Sequence, residues 1–337
     1  MNSAQIKPFR RGLERGLTMV ELLVALVISM LISLAAISAL TVTRQGFNTV
    51  DAASQLRDNG RFAADLIQRL AVQSGFKDVA YAARPATTAE TAANLAPDIV
   101  GLNNALSTMN NSSSSNNPLD WSSTRTSGSL GYGSDILVLR YQDPETFDGS
   151  GISDQSMIDC LGNSSNKNFP TSRGERMISV IHVAESPQNS GELALMCTKY
   201  SYSDTAAGWT LSDPQPIVQG VENFQVLYGT DGVTAGAAPT ATPDTVPDRY
   251  LRADQMTVAS NPVATNANWR RVRSLRIGLV LRGPANSAQD NSTDPLYPQG
   301  SGMSSSSDPG TIFTPPADRR LRQVLTFTVH LRNEQAI

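Results

Sequence analysis

The chain is poor in the residues that most enzyme chemistry requires. Its 337 residues include two histidines and two cysteines. There is no Cys-x-x-Cys pair, no Gly-x-Ser-x-Gly elbow and no Walker loop, so zinc, haem, hydrolase and nucleotide-triphosphate chemistry are not expected. Gly128, Gly131 and Gly133 lack the order of a phosphate loop, because a strand follows them and no helix does. Charged residues make up only 17% of the chain and the net charge is −3. A basic nucleic-acid-binding face is therefore not supported. The expectation is a non-enzymatic protein with no cofactor, no metal and no nucleic-acid partner.

What the sequence does have is concentrated at its start. Leu22 to Thr43 contains no charged residue over 22 positions. At helical rise this is about 33 Å, enough to cross a bilayer core. Lys7, Arg10, Arg11 and Arg15 precede it against Glu14, a cationic leader suited to holding the N-terminus on the cytoplasmic side. The run is too long for an ordinary secretory signal. Glu21 stands at its mouth. A carboxylate beside hydrocarbon is either functional, with a partner to be named, or an N-terminal acid set against the helix dipole at headgroup depth.

Beyond Arg44 the helix continues with a changed face. Phe47, Val50, Ala53 and Leu56 recur at threes, and Phe62, Ala63, Leu66, Ile67 and Leu70 follow the i, i+3, i+4 pattern of one buried stripe. This stripe is expected to dock a globular head. Gly46 and Gly60 are candidate points where the helix loosens, and Gly75 suits its C-cap, so the end is expected near Ser74-Gly75.

Residues 84–130 read as long surface loops, with an Asn/Ser tract from Asn110 to Asn117. Strands are expected over Ile136–Tyr141, Ile178–Val183, Leu193–Cys197, Phe224–Tyr228, Ser274–Leu281 and Leu325–Leu331. No helical crossover separates the late ones, so the sheet should be antiparallel. Two insertions, Ala235–Pro247 and Gly283–Pro316, are rich in Pro, Ser and Asp. His330 falls on the polar side of its strand, while His182 shares a face with Ile178 and Val180 and reads as a satisfied core or edge histidine. Cys160 and Cys197 suit one disulfide in an oxidising compartment, two buried free thiols being the alternative. Tyr228-Gly229-Thr230-Asp231-Gly232, with Asp244 and Asp248, could hold calcium or be an ordinary Asp-Gly turn.

Gly16-Leu17-Thr18-Met19-Val20-Glu21-Leu22-Leu23-Val24-Ala25 resembles the class III leader and N-terminal helix of type IV prepilins. The resemblance implies cleavage between Gly16 and Leu17 by a prepilin peptidase, with methylation of the new terminus. It also implies that Glu21 neutralises a neighbouring subunit's N-terminal amine during assembly. The family usually has Phe where Leu17 stands. Val218–Gly229, Asp248-Arg249-Tyr250, Leu325–Asn333 and Asp159-Cys160-Leu161-Gly162 resemble PilW-type minor pilins.

That family implies an α+β fold: a long N-terminal helix packed on a mainly antiparallel sheet head with long loops. It divides the chain into a leader (1–16), a transmembrane and assembly segment (17–43), an amphipathic half-helix (44–75) and a β-rich periplasmic head (76–337). The function implied is priming or capping type IV pilus assembly. The implied partners are other minor pilins, the major pilin, a PilY-type tip adhesin, the prepilin peptidase and the inner membrane. The implied location is the inner membrane, then the pilus tip. A minor pseudopilin of a type II secretion system is the alternative, and a membrane-tethered periplasmic enzyme or binding protein is a third reading.

Overall fold

The computed structural model describes residues 16–79, 91, 95–109, 118–146, 151–164, 173–201 and 210–335. The expected leader, apart from Gly16, and the Asn110–Asn117 tract lie outside the described residues. Contacts divide the chain into two compact units, one ending at Val50 and one comprising Asp51–Ile337.

Helix α1 spans Met19–Gln73, 55 residues without a break. It stops where expected: Gly75 takes φ +76° and its N–H turns away to the Arg140 carbonyl at 2.9 Å. Glycine adopts that left-handed conformation without a Cβ penalty. The side-chain amide of Asn333 closes the same end, donating to the carbonyls of Val72 (3.2 Å) and Ser74 (3.1 Å).

In the first unit the α1 side chains from Leu22 to Thr43 are all exposed. In the second unit α1 buries Ala52, Leu56, Gly60, Ala63, Ile67, Leu70 and Ala71. This corrects the expected stripe. Phe47, Val50 and Phe62 are exposed and stand outside it, because the buried set steps by fours and threes from Ala52. Gly60 is likewise no loosened point. It lies in the unbroken helix and is buried against the sheet, where a Cβ would meet Leu325 Cδ2 at 3.4 Å, an ordinary contact distance.

After α1 the chain forms β1 (Ile99–Leu102), β2 (Ala105–Ser107), β3 (Ser122–Thr124), β4 (Ile136–Tyr141), β5 (Met177–Ser186), β6 (Asn189–Ser201), β7 (Thr210–Leu211), β8 (Gln215–Gln219), β9 (Val221–Thr230) and β10 (Arg249–Leu251). A short helix α2 (Pro262–Trp269), then β11 (Val272–Arg282) and β12 (Arg322–His330), complete it. Asn261 caps α2, its side chain accepting from the Ala264 N–H at 3.0 Å, and Pro262 follows at the first position.

Every strand pair is antiparallel, as expected. The strands form a sheet ordered β1-β4-β5-β6-β7 with β8 also on β6, a second ordered β10-β9-β11-β12, and the small pair β2-β3. All six expected strands are present, and β4, apolar except for Arg140, is buried along its whole length between β1 and β5. The strands not expected are short or polar and carry too little period-two signal.

One core joins both sheets to α1, including Leu56, Ile67, Leu70, Leu139, Phe224 and Leu279. Two polar seams bind the sheets together. Asp135 accepts from the Asn104 N–H (3.0 Å) and the Val226 N–H (2.8 Å), and burial raises its pKa well above the ordinary carboxylate range. At the other seam Glu222 pairs with Arg282 (3.0 Å) and Arg322 (2.6 Å), and Glu192 with Arg320 (2.7 Å). The insertion 283–316 is held against the second sheet rather than loose. Gln299 Nε2 donates to the Gln225 and Arg276 carbonyls, and Thr326 Oγ1 donates to the Pro298 carbonyl at 2.6 Å.

Candidate functional site

Gly16, Leu17 and Glu21 come together at the start of α1, all exposed. Glu21 Oε2 accepts from both the Thr18 N–H and the Thr18 hydroxyl at 3.0 Å, and the Glu21 N–H donates to Thr18 Oγ1 at 3.3 Å. This reciprocal arrangement is a capping box, which satisfies donors that the helix itself leaves open. Its signature, Thr-x-x-Glu before an apolar run, was present in the sequence, and Thr18 is the residue that pattern-reading overlooked. The helix behind it is long and apolar enough to cross a membrane, with a mean hydropathy of 2.6 over its most apolar window.

Cys160 and Cys197 are joined in a disulfide with their Cα atoms 5.9 Å apart. Local bonds set up the approach. Asp159 Oδ1 accepts from the Leu161 and Asn163 N–H groups, the Cys160 N–H donates to Ser179 Oγ, and Lys199 pairs with Asp159 at 3.3 Å. The same loop reaches α1, because Gln73 donates to the Ile158 carbonyl and accepts the Ile158 N–H. The crosslink therefore fixes to β6 the loop that braces the end of α1. No spacing in the sequence announces Gln73 or Asn333, since both act through contacts distant in the chain.

Asp231 is only 1% exposed. Its carboxylate accepts from the Thr245 N–H (2.9 Å) and the Asp244 N–H (3.4 Å), and it faces Arg273 (3.4 Å) and Arg271 (3.8 Å). Those hydrogen bonds and the two guanidinium groups lower its pKa against the opposing effect of burial. Its oxygens anchor the 231–248 loop, which is the turn reading. Among the described residues no three His, Cys, Asp or Glu side chains are grouped as metal ligands.

His330 is exposed, as expected. His182 is buried, and among the described residues neither ring nitrogen has a hydrogen-bond partner of ordinary geometry. Burial, and the Arg125 guanidinium next, hold its pKa down at about 4. Sequence could place this ring inside the sheet but could not supply its partners.

No curated protein matches the chain. Three solved chains do, among them a type IV-like pilin from Thermus thermophilus. It is 15% identical over 83% of this chain and 99% of that one, with a TM-score of 0.38. Residues 11–37, which include Gly16, Leu17, Thr18 and Glu21, match the prokaryotic N-terminal methylation motif. Residues 182–333, from β5 through Asn333, match type IV pilus-assembly protein W. The chain thus carries the N-terminal methylation motif on its helix and a PilW domain behind it, the two parts that a PilW-type minor pilin combines.

Proposed function

We propose that this chain is a minor pilin that primes or caps type IV pilus assembly from a tip complex. In this reading a prepilin peptidase cuts between Gly16 and Leu17, and residues 17–43 anchor the product in the inner membrane with the head, 76–337, in the periplasm. The helix then leaves the bilayer to pack in the filament. Glu21 meets the N-terminal amine of a neighbouring subunit there, because an amine and a carboxylate are each costly in an apolar bundle and pairing relieves much of that cost. The partners are other minor pilins, the major pilin and a PilY-type tip adhesin.

The observation that carries the proposal is the union of the methylation motif over 11–37 with a helix whose next 22 side chains, Leu22 to Thr43, are apolar or uncharged and exposed. A head of this bulk is easier to place at a tip than in a densely packed shaft. A type II secretion pseudopilin would share the helix, and the PilW domain over 182–333 favours the pilus.

The test is a strain lacking the chain, complemented with an epitope-tagged copy. Few or no pili without it, Leu17 as the first residue of the mature product by mass spectrometry, and immunogold label at pilus tips are the expected results. Normal piliation in its absence, or label spread along the shaft, would defeat the tip-priming role.

A further inference from the structure

Two of the sheet edges are closed by side-chain oxygens, and a third is not. Edge strand β1 is buried, and its Ile99 N–H is taken by Gln335 Oε1 at 3.1 Å. Where β10 leaves β9 uncovered, Ser134 and Asp135 accept the Phe224 and Val226 N–H groups. Strand β12 has no such cover. Register and flanking bonds fix its parity: Leu331 N–H bonds the Arg273 carbonyl and Gly283 N–H bonds the Leu321 carbonyl, so odd-numbered residues of β12 face β11. The N–H and C=O groups of Val324, Thr326, Thr328 and His330 therefore point away from the sheet. Among the described residues none of them has a hydrogen-bond partner.

This edge also lacks the usual protection. It pairs with β11 without a bulge, and Gln323–Val329 holds neither proline nor charge. Thr326, Thr328 and His330 are exposed, and Leu325 and Phe327 are only half-buried beside them. Two residues past the strand the chain enters a cavity of about 700 Å³. Val72, Phe76 and Met157 line it as apolar wall, and Arg69, Arg332 and Asp65 as charged wall. Arg69 and Arg332 form no ion pair among the described residues.

We infer that β12 receives an additional strand from another protein: an extended segment alternating apolar and polar residues, with a carboxylate placed to meet Arg332 and Arg69. Backbone bonding along the edge supplies affinity, and the half-buried Leu325 and Phe327 select apolar residues on one face. A second copy of β12 fits badly, because residues 319–333 contain no acidic side chain to answer Arg332. The surface lies wholly within the unit Asp51–Ile337 and stands apart from the assembly role proposed above.

The test uses the full chain in the producing cell, with a benzophenone amino acid at Thr328 or at His330 and the crosslinked peptides mapped by mass spectrometry. The two probes should link to one short segment of one other polypeptide, at residues two apart, with Asp or Glu beyond the His330 contact. Adding Thr328→Pro should cut the His330 crosslink about tenfold, since it removes an edge N–H, while the Cys160–Cys197 crosslink still forms. Arg332→Glu should also weaken the crosslink, and Arg332→Lys should largely preserve it. In the unsubstituted chain, amide exchange over 323–331 should slow on complex formation. Absent or scattered links, links to a second copy, or exchange unchanged by the complex would each overturn the inference.

Discussion

Thr18 and Glu21 hold one another at the mouth of α1, the carboxylate accepting two hydrogen bonds from Thr18 and the Glu21 N–H returning one to its hydroxyl. The acid thus has a local partner before any neighbour arrives. Cap and charge can be separated by substitution. Glu21→Gln keeps an oxygen acceptor for Thr18 but loses the charge; Thr18→Ala loses the cap and keeps the charge. On the assembly role proposed above, Glu21→Gln should accumulate in the membrane fraction with few pili formed, whereas Thr18→Ala should assemble near wild-type level. Pilus counts beside membrane fractionation decide it. Equal assembly by both variants would mean that the charge is not what Glu21 supplies.

Gly60 and Leu325 give a second test, one of packing. A Cβ at Gly60 would sit 3.4 Å from Leu325 Cδ2 and 3.8 Å from Leu281 Cδ1, ordinary contact distances. Gly60→Ala should therefore be neutral or gain up to about 1 kcal/mol from helix propensity. Gly60→Leu should lose about 1–3 kcal/mol, because the core has no room for a branched side chain. Denaturant unfolding of the detergent-solubilised chain measures both. A large loss from the alanine alone would show that the helix and sheet approach more closely than this.

These residues also show what was legible beforehand. The uncharged run, Gly16 and Glu21 are adjacent in sequence, and a helix needs only adjacency to be read. The alternation in β11 and β12 exposed the second sheet for the same reason. The docking face of α1 was read with Phe47, Val50 and Phe62 included, because periodicity says which residues share a stripe but not where the sheet beneath it begins. Gly60 was misjudged because helix propensity is local, while the residues it packs against, Leu281 and Leu325, lie more than 200 residues away. The cap by Asn333, the clamp between Gln73 and Ile158, and the open edge of β12 depend on pairings that no single segment encodes.

His182 should leave a mark on stability against pH. Its folded pKa lies at about 4, and the ordinary histidine value is 6.5. Between those values the unfolded chain binds more protons than the folded one, so this residue makes stability rise with pH from 4 to 6.5 and contributes no slope above that. Burial pushes the Asp143 carboxyl the other way, to about 7, so its contribution falls as pH rises from 4 to 7 and partly masks the histidine in the wild-type curve. Comparison with His182→Leu removes the mask, since Asp143 is common to both chains. The leucine variant should be favoured most near pH 4.5. Its advantage should shrink towards pH 6.5, by at most about 1.4 kcal/mol per pH unit, and stay constant to pH 8. Denaturant unfolding at four pH values is sufficient. A difference that does not change with pH would mean that His182 titrates alike in the folded and unfolded chain, and that its burial among β4, β5 and β6 is not what depresses it.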